Sequence, residues 1–162
     1  MLIRDASEED LPGILAIYNE VMATSTAIFS DQPSTLSERR SWLQARRGQG
    51  YPVLVAVDGA DVIGFASFGD FRSWPGYRYT VEHSVHVAAR VRGRGTGTAL
   101  VQELLQRATA LGKHVMVAGI DAANTGSIRL HERLGFTQVG LLREVGRKFD
   151  RWLDLVFLQK RL

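Results

Sequence analysis

The stretch RVRGRGTGTAL, from Arg90 to Leu100, places three glycines and three arginines in one short turn. The apolar residues that follow recur at helical spacing, so the turn leads into a helix. Glycine is a poor residue for a helical first turn, so Gly95 and Gly97 indicate that another requirement selects them. Bare backbone next to positive charge is typical of a site that holds phosphate.

Three kinds of phosphate site begin with a glycine-rich turn. A P-loop needs G-x-x-x-x-G-K-[ST], and neither that lysine nor that spacing is present. A Rossmann turn needs G-x-G-x-x-G near the start of a longer doubly wound sheet, whereas Gly93, Gly95 and Gly97 alternate past the middle of the chain. The third kind lays a pyrophosphate on consecutive backbone amides at a helix start, where the helix dipole favours an anion. The pattern favours this third kind, and a glycine-rich loop that merely begins a helix is the alternative.

Composition limits the class of protein. A chain of 162 residues with 45% hydrophobic and 23% charged residues is expected to form one globular domain, residues 1–162. The absence of cysteine excludes disulfides, thiolate metal sites and a cysteine nucleophile. No apolar run reaches the roughly 20 residues of a membrane span, and the first residues do not resemble a secretory signal, so we expect a cytoplasmic protein without a membrane partner. A net charge of +3 does not indicate a nucleic-acid partner.

Helical and extended patterns alternate along the chain without a repeat or a linker. Helical spacing predicts a helix capped by Ser7, a second in STLSERRSWLQARR, a third that ends at Gly112, and a fourth from Asn124 to Gly135. Extended stretches between turns predict the strands, in the order β-α-α-β-β-β-α-β-α-β-β. This order predicts an α/β fold with a mixed sheet and helices on its faces.

The motif R-x-x-G-x-G, from Arg92 to Gly97, resembles the coenzyme A pyrophosphate loop of the GCN5-related N-acetyltransferase (GNAT) superfamily. The strand SVHV before it and the later N-x-x-S-x-x-L-H-E-R-L-G-F stand in the order of that superfamily. The stretches TSTAIF, TVEHSVHV, IRLHERLGF and RWLD resemble its phosphinothricin and methionine sulfoximine N-acetyltransferase branch. The resemblance implies a GNAT-like, mostly antiparallel sheet and transfer of acetyl from acetyl-CoA to the α-amine of a small amino-acid-like substrate.

Two residues are candidates for proton transfer. Glu82, in the strand TVEHSVHV, stands where the branch implies a base, and it would act through water or with a pKa raised by burial. Its alternative role is a strand glutamate in a salt bridge. His131 stands where most of the superfamily has a tyrosine that protonates the leaving thiolate. It could serve as that acid, as a second base, or as a core histidine.

Contacts to acetyl-CoA are expected from one strand, one turn and one helix. Backbone N–H groups of the strand would pair with the pantetheine arm and hold the oxyanion. Backbone groups of the turn would hold the pyrophosphate, with arginine charge around it. The expected contact residues are Val85, His86, Val87, Arg92, Gly93, Arg94, Gly95, Thr96, Gly97, Thr98, Asn124 and Arg133. Asn124 could equally be only a helix cap, and Arg133 only an exposed cation.

The acceptor site is predicted in the loop GDFRSWPGYRYT, because arginine binds carboxylates and aromatic side chains form pocket walls. The candidate residues are Phe29, Arg72, Ser73, Trp74, Pro75, Tyr77 and His83. The loop could equally be a dimer contact, and a homodimer is expected from the branch. The histidines show no metal-ligand spacing, so no metal is predicted. Acetylation of a protein N-terminus or lysine, a non-catalytic acyl-CoA sensor and a basic nucleic-acid binder are the alternative functions.

Overall fold

The computed structural model describes residues 1–162 and has the element order that the sequence predicts. The helices are α1 (Leu11–Thr24), α2 (Leu36–Gly48), α3 (Thr96–Ala110) and α4 (Thr125–Arg133). The strands are β1 (Leu2–Asp5), β2 (Val53–Asp58), β3 (Asp61–Asp70), β4 (Thr80–Val87), β5 (Val115–Asp121), β6 (Thr137–Lys148) and β7 (Arg151–Arg161). None of the four helices combines the length and the apolar composition that a membrane span requires.

Local chemistry sets most of the helix boundaries. The side chain of Thr35 accepts a hydrogen bond from the Glu38 amide at the start of α2. Gly112 follows α3 with a φ of +75°, the left-handed conformation that ends helices and that glycine adopts without strain. The start of the first helix differs from the prediction: Ser7 precedes a 3-10 turn, and α1 begins only at Leu11. Pro12 explains this shift, because a proline has no N–H and is tolerated in the first helical turn.

The seven strands form one sheet in the order β1-β2-β3-β4-β5-β7-β6. Every neighbouring pair is antiparallel except β4 and β5, which are parallel. The mixed, mostly antiparallel sheet predicted from the family resemblance is therefore confirmed. Trp42 of α2 packs edge-on against Phe65 on one face of the sheet, and Leu100 of α3 lies over Gly64 on the other face. The sheet is thus covered by helices on both faces.

The parallel pair β4 and β5 separates after four residues. Their register runs from Thr80 opposite Val115 to His83 opposite Ala118 and then stops. Beyond that point, residues 84–87 of β4 pair only with β3, and residues 119–121 of β5 pair only with β7. We call these two unpaired edges the fork. Backbone N–H and C=O groups on the inner edges of the fork are left without a strand partner.

A buried lysine holds the segment after α1 against the rest of the molecule. The ammonium of Lys148 in β6 donates to the backbone carbonyls of Met22, Ser25 and Ile28, at 2.6, 2.6 and 2.8 Å. Burial lowers the pKa of Lys148, and these three carbonyls compensate for the lost water. The hydroxyl of Thr26 in the same segment donates to the carboxylate of Asp121 at the end of β5. Residues 24–29 are therefore fixed at the mouth of the fork.

Candidate active site

The glycine turn presents a row of free backbone donors. None of the six amides from Gly93 to Thr98 donates to another protein group. Gly93 and Gly95 have φ values of +78° and +84°, which non-glycine residues rarely adopt, and the space where their side chains would project is empty. Gly95 is also the N-cap residue immediately before α3, so the positive end of the helix dipole points into the same space. The turn therefore offers a row of backbone donors of the kind that suits an anion.

A cleft of about 1030 Å³ runs from the glycine turn to the fork. It is open to solvent and passes between the segment after α1 and the start of α4. Ten of the twelve residues predicted to contact acetyl-CoA line it: Val85, His86, Val87, Arg92, Gly93, Gly95, Gly97, Thr98, Asn124 and Arg133. The other two do not. Arg94 is exposed outside the cleft, and the Thr96 side chain is buried toward Gly64, which leaves its amide in the turn.

Asn124 and His86 show how the cleft is built. The Asn124 side chain accepts a hydrogen bond from the Ser127 amide, so it caps α4 while it also lines the cleft. Both of the roles considered for Asn124 are therefore compatible. Burial, followed by the charges of Arg39 and Arg92, lowers the pKa of His86 to about 4. His86 is accordingly a neutral ring at physiological pH.

Glu82 lies on the face of the sheet that carries α1 and α2, beside the opening of the fork. Burial raises the pKa of its carboxyl, and the Arg72 guanidinium opposes that rise. The carboxylate rests directly over Gly119 of β5: a side chain at Gly119 would begin 3.1 Å from Glu82 Oε2. Gly119 therefore gives the carboxylate room at the edge of the fork. Glu82 forms no salt bridge within 4.0 Å, which argues against the purely structural role.

His131 lies on the opposite face of the sheet, buried in α4 with only 2% of its surface exposed. Its Nε2 atom is 2.9 Å from Nε2 of His83 in β4. The two rings pack against Phe136 and line a cavity of about 70 Å³ inside the fork. This cavity also contains Gly119 and shares Val85 and Asp121 with the large cleft. The fork thus connects the Glu82 side of the sheet to the His131 side.

The predicted acceptor loop follows β3 and approaches Glu82 through Arg72. The Arg72 guanidinium lies 4.4 Å from the centre of the Phe71 ring. Phe71 also contacts Tyr77 and Phe157, and Phe157 neighbours Gly119. Arg72, Tyr77 and Glu82 are therefore on one side of the sheet. The remaining loop candidates, Ser73, Trp74 and Pro75, are exposed, and Trp74 reaches 75% exposure.

Two acceptor candidates lie away from this loop. His83 alternates with Glu82 along β4, so it points to the opposite face, where it is 8% exposed and contacts His131. Phe29 packs on Gly146 of β6, where a side chain would collide with its ring. The spacing of residues in the sequence did not reveal either placement, because both depend on contacts with distant strands.

Several residues of the site were missed by sequence reasoning. The cleft is also lined by Thr26 and Asp121, which bond to each other, and by Phe149 and Arg151 at the β6–β7 turn. Arg151 begins the RWLD stretch, which was the available signal for it. Gly119 carried no signal, because a lone glycine in a strand has many explanations. No group of three or more His, Asp or Glu side chains is arranged to hold a metal ion.

Comparison with known proteins agrees with this geometry. The family model described as "Acetyltransferase (GNAT) family" matches residues 14–136. The L-methionine sulfoximine/L-methionine sulfone acetyltransferase of Pseudomonas paraeruginosa is 54% identical over 161 residues, covering 99% of this chain and 94% of that protein. The phosphinothricin N-acetyltransferase of Streptomyces coelicolor is 37% identical over 163 residues, covering 99% and 95%.

A solved structure is similarly close. It is that of yncA, a putative acetyltransferase from Salmonella typhimurium with its cofactor acetyl-CoA. It superposes with a TM-score of 0.98 at 48% identity, covering 100% of this chain and 94% of that one. These matches confirm the family resemblance drawn from the turn, the strand TVEHSVHV and the helix IRLHERLGF. The chain belongs to the acetyltransferase (GNAT) family, in the branch that contains the methionine sulfoximine and phosphinothricin N-acetyltransferases.

Proposed function

We propose that this enzyme acetylates the α-amine of a small, polar amino acid such as methionine sulfoximine, methionine sulfone or phosphinothricin, with acetyl-CoA as the acetyl donor. The observation that carries the proposal is one continuous cleft. It joins six free amides at the start of α3 to a fork that has a carboxylate on one side and a histidine on the other. The names of the relatives support the substrate class.

The residues of the cleft fit acetyl-CoA, which supplies the acetyl group as a thioester. The amides of residues 93–98 would hold the pyrophosphate, and Arg92 and Arg133 add positive charge at the cleft wall. The free inner edge of Val85–Val87 offers backbone groups to an extended pantetheine arm, in the manner of an added strand. The same edge offers N–H groups to a developing oxyanion.

Glu82 is proposed as the base that removes a proton from the ammonium form of the acceptor. An ammonium has no lone pair, so it must be deprotonated before it can attack a carbonyl carbon. Burial makes Glu82 a stronger base than an exposed glutamate, since it raises the pKa. His131 is proposed to donate a proton to the leaving sulfur from the other side of the fork.

Arg72 is proposed to bind the α-carboxylate or the polar head of the acceptor. Its positive charge acts on Glu82, because it lowers the pKa of that carboxyl. The parallel N–H groups of a guanidinium also suit a carboxylate or a sulfone. Phe71, Tyr77 and Phe157 supply an apolar wall for a short aliphatic stem. Asp121 is the only carboxylate among the residues that line the cleft, whereas a polyamine or an aminoglycoside would need several. Reaction in the cytoplasm is proposed because acetyl-CoA is available there.

A homodimer is proposed on the exposed edge of the sheet. β6 is the last strand, and it exposes Val139, Leu141, Leu142 and Val145. An apolar edge strand of this kind is suited to pairing with another chain. Sedimentation should therefore give about twice the 18.0 kDa of one chain, and Leu141→Asp should give one chain. Leu111→Asp is the control, because Leu111 is 48% exposed and Leu141 49%. A wild-type monomer would contradict the proposal.

Gly95→Asp should weaken acetyl-CoA binding by roughly tenfold or more, equivalent to about 1.4 kcal/mol. The new carboxylate would stand among the amides of the turn and repel the pyrophosphate. Gly59→Asp is the matched control, because Gly59 also has a positive φ (+60°) and open space around it. Calorimetry on both folded variants measures the effect. Equal affinities for acetyl-CoA would remove the turn as the binding site.

Glu82→Gln should lower kcat by roughly 10²–10⁴-fold, because it preserves shape and removes the base. Affinity for acetyl-CoA should stay within about threefold, since Glu82 lies outside the large cleft. The lost activity should return partly at high pH, where the acceptor amine deprotonates without help. Glu9→Gln, at an exposed position, is the control. Wild-type kcat across the pH range would assign the base to another group.

Methionine should be a poorer substrate than methionine sulfone, by roughly 10²-fold or more in kcat/KM. Methionine lacks the oxygens that would pair with the polar groups of the site, so those groups would be left unsatisfied. Release of free thiol from acetyl-CoA, measured with a panel of amino acids and with peptides, tests this. Arg72→Ala should raise KM for the sulfone, whereas Arg78→Ala, in the same loop, should not. Acetylation of peptides alone would favour the protein acetyltransferase alternative, and no turnover at all would favour the acyl-CoA sensor.

A further inference from the structure

His83 and His131 form a continuous chain of hydrogen-bonding contacts beside the fork. The two Nε2 atoms are 2.9 Å apart. His83 Nδ1 is 3.2 Å from the carbonyl oxygen of Val117, and His131 Nδ1 is 2.7 Å from that of Ser127. All four ring nitrogens are therefore in hydrogen-bonding contacts, in the sequence O–N, N–N, N–O. Each of the three contacts needs one proton.

Two neutral histidines cannot supply three protons. A carbonyl oxygen only accepts, so each Nδ1 must carry a proton to bond with its carbonyl. If both do, the two Nε2 lone pairs face each other at 2.9 Å, which is repulsive. If one proton moves to the Nε2–Nε2 contact instead, one carbonyl loses its donor. The neutral pair is one proton short, and a single added proton completes all three hydrogen bonds.

The groups around the His83–His131 pair favour the uptake and release of a single proton by the two rings together. The four ion pairs of the chain include neither histidine, so no carboxylate within 4.0 Å holds a charge on the pair. The other titratable groups around the small cavity are His86 of β4 and Asp121 of β5, and α4 contributes the Ser127 carbonyl without a charge. Burial lowers the pKa of His131, so the pair is neutral near pH 7. Burial and then the charge of His131 lower the pKa of His83 to about 3, which prevents a second protonation.

The pair is also placed where a proton must move. Both rings line the small cavity inside the fork, and this cavity shares Ala27, Val85, His86, Asp121, Asn124 and Ser127 with the large cleft. Gly119, over which the Glu82 carboxylate rests, lines the same cavity. A proton taken up between the rings therefore lies in a cavity that is continuous with the cleft of the proposed reaction.

We propose that His83 and His131 act as one proton carrier during acetyl transfer, with His83 as the positioning residue for His131; this inference rests on the proposed function. As the amine nitrogen bonds to the carbonyl carbon, the C–S bond breaks and its electron pair goes to sulfur. Glu82 has already taken the first proton, from the ammonium; on attack the nitrogen gives up a second proton, the pair takes it at the Nε2–Nε2 contact, and the sulfur receives it and becomes a thiol. The pair then returns to its neutral form.

His83 acts through its Nε2 atom, which two variants separate from the volume of the ring. His83→Phe fills the space but offers no acceptor, so a protonated His131 would have an unpaired N–H inside the protein. His83→Gln places an amide oxygen near the position of Nε2, where it can accept from His131. His114→Asn is the control, because His114 is an exposed histidine outside the site.

The first measurement needs no substrate. Imidazole ¹⁵N shifts of the full-length protein are followed from pH 4 to pH 9, because burial already lowers the pKa of His131. In the wild type, His83 and His131 should titrate with a common midpoint and take up one proton in total. His83→Phe should lower the midpoint of His131 by at least about one pH unit, and His83→Gln should restore most of it. Separate midpoints, or an unchanged His131 midpoint in His83→Phe, would overturn the shared proton whatever the activity.

The second measurement links the pair to catalysis. His83→Phe should lower kcat by roughly tenfold to a hundredfold with methionine sulfone and shift the acid limb of the kcat–pH profile, while KM for acetyl-CoA changes by less than about threefold. His83→Gln should recover most of kcat. Unchanged kcat and an unchanged profile in His83→Phe would overturn the carrier role. A wild type that acetylates no amine would contradict the proposed function as well, whereas the titration would still decide whether the proton is shared.

Discussion

The separation of β4 from β5 is the constraint on which the rest of the site depends. Two parallel strands that remained paired to their ends would satisfy each other's backbone groups and leave no gap in the sheet. Here pairing stops at His83 and Ala118, and beyond these residues β4 pairs only with β3 and β5 only with β7. Free backbone, an internal cavity and a passage between the two faces all follow from that divergence.

The fork gives two chemically different surroundings to neighbouring residues of one strand. Alternation along β4 sends Glu82 to one face and His83 to the other. Glu82 meets an arginine and aromatic side chains, and partial burial makes its carboxyl more basic. His83 meets the ring of His131, the ring of Phe136 and the carbonyl oxygen of Val117, and burial keeps its own ring neutral. A base and a proton carrier can therefore lie on opposite sides of one gap.

The row of free amides at the other end of the cleft depends on the backbone alone. Its donors are backbone amides, so its geometry is set by φ values that glycine alone adopts readily, at Gly93 and Gly95. Such a site can be identified from a short stretch of sequence, because glycine spacing and the start of a helix are local properties. The acceptor loop cannot be identified from a short stretch in the same way. The surroundings of its exposed side chains are set by residues of β4, β5 and β7, which are distant from the loop in the sequence or unrelated to its own pattern.

The sequence by itself determined the element order, the glycine turn before α3, the Asn124 cap and the family, because each depends on residues near one another in the chain. It did not determine which face His83 occupies, that Phe29 packs on Gly146, or that Lys148 holds the segment after α1. Those placements join residues 48 to 126 positions apart. Only the tertiary structure decides them, because strand register and burial are properties of the whole sheet and not of any one stretch.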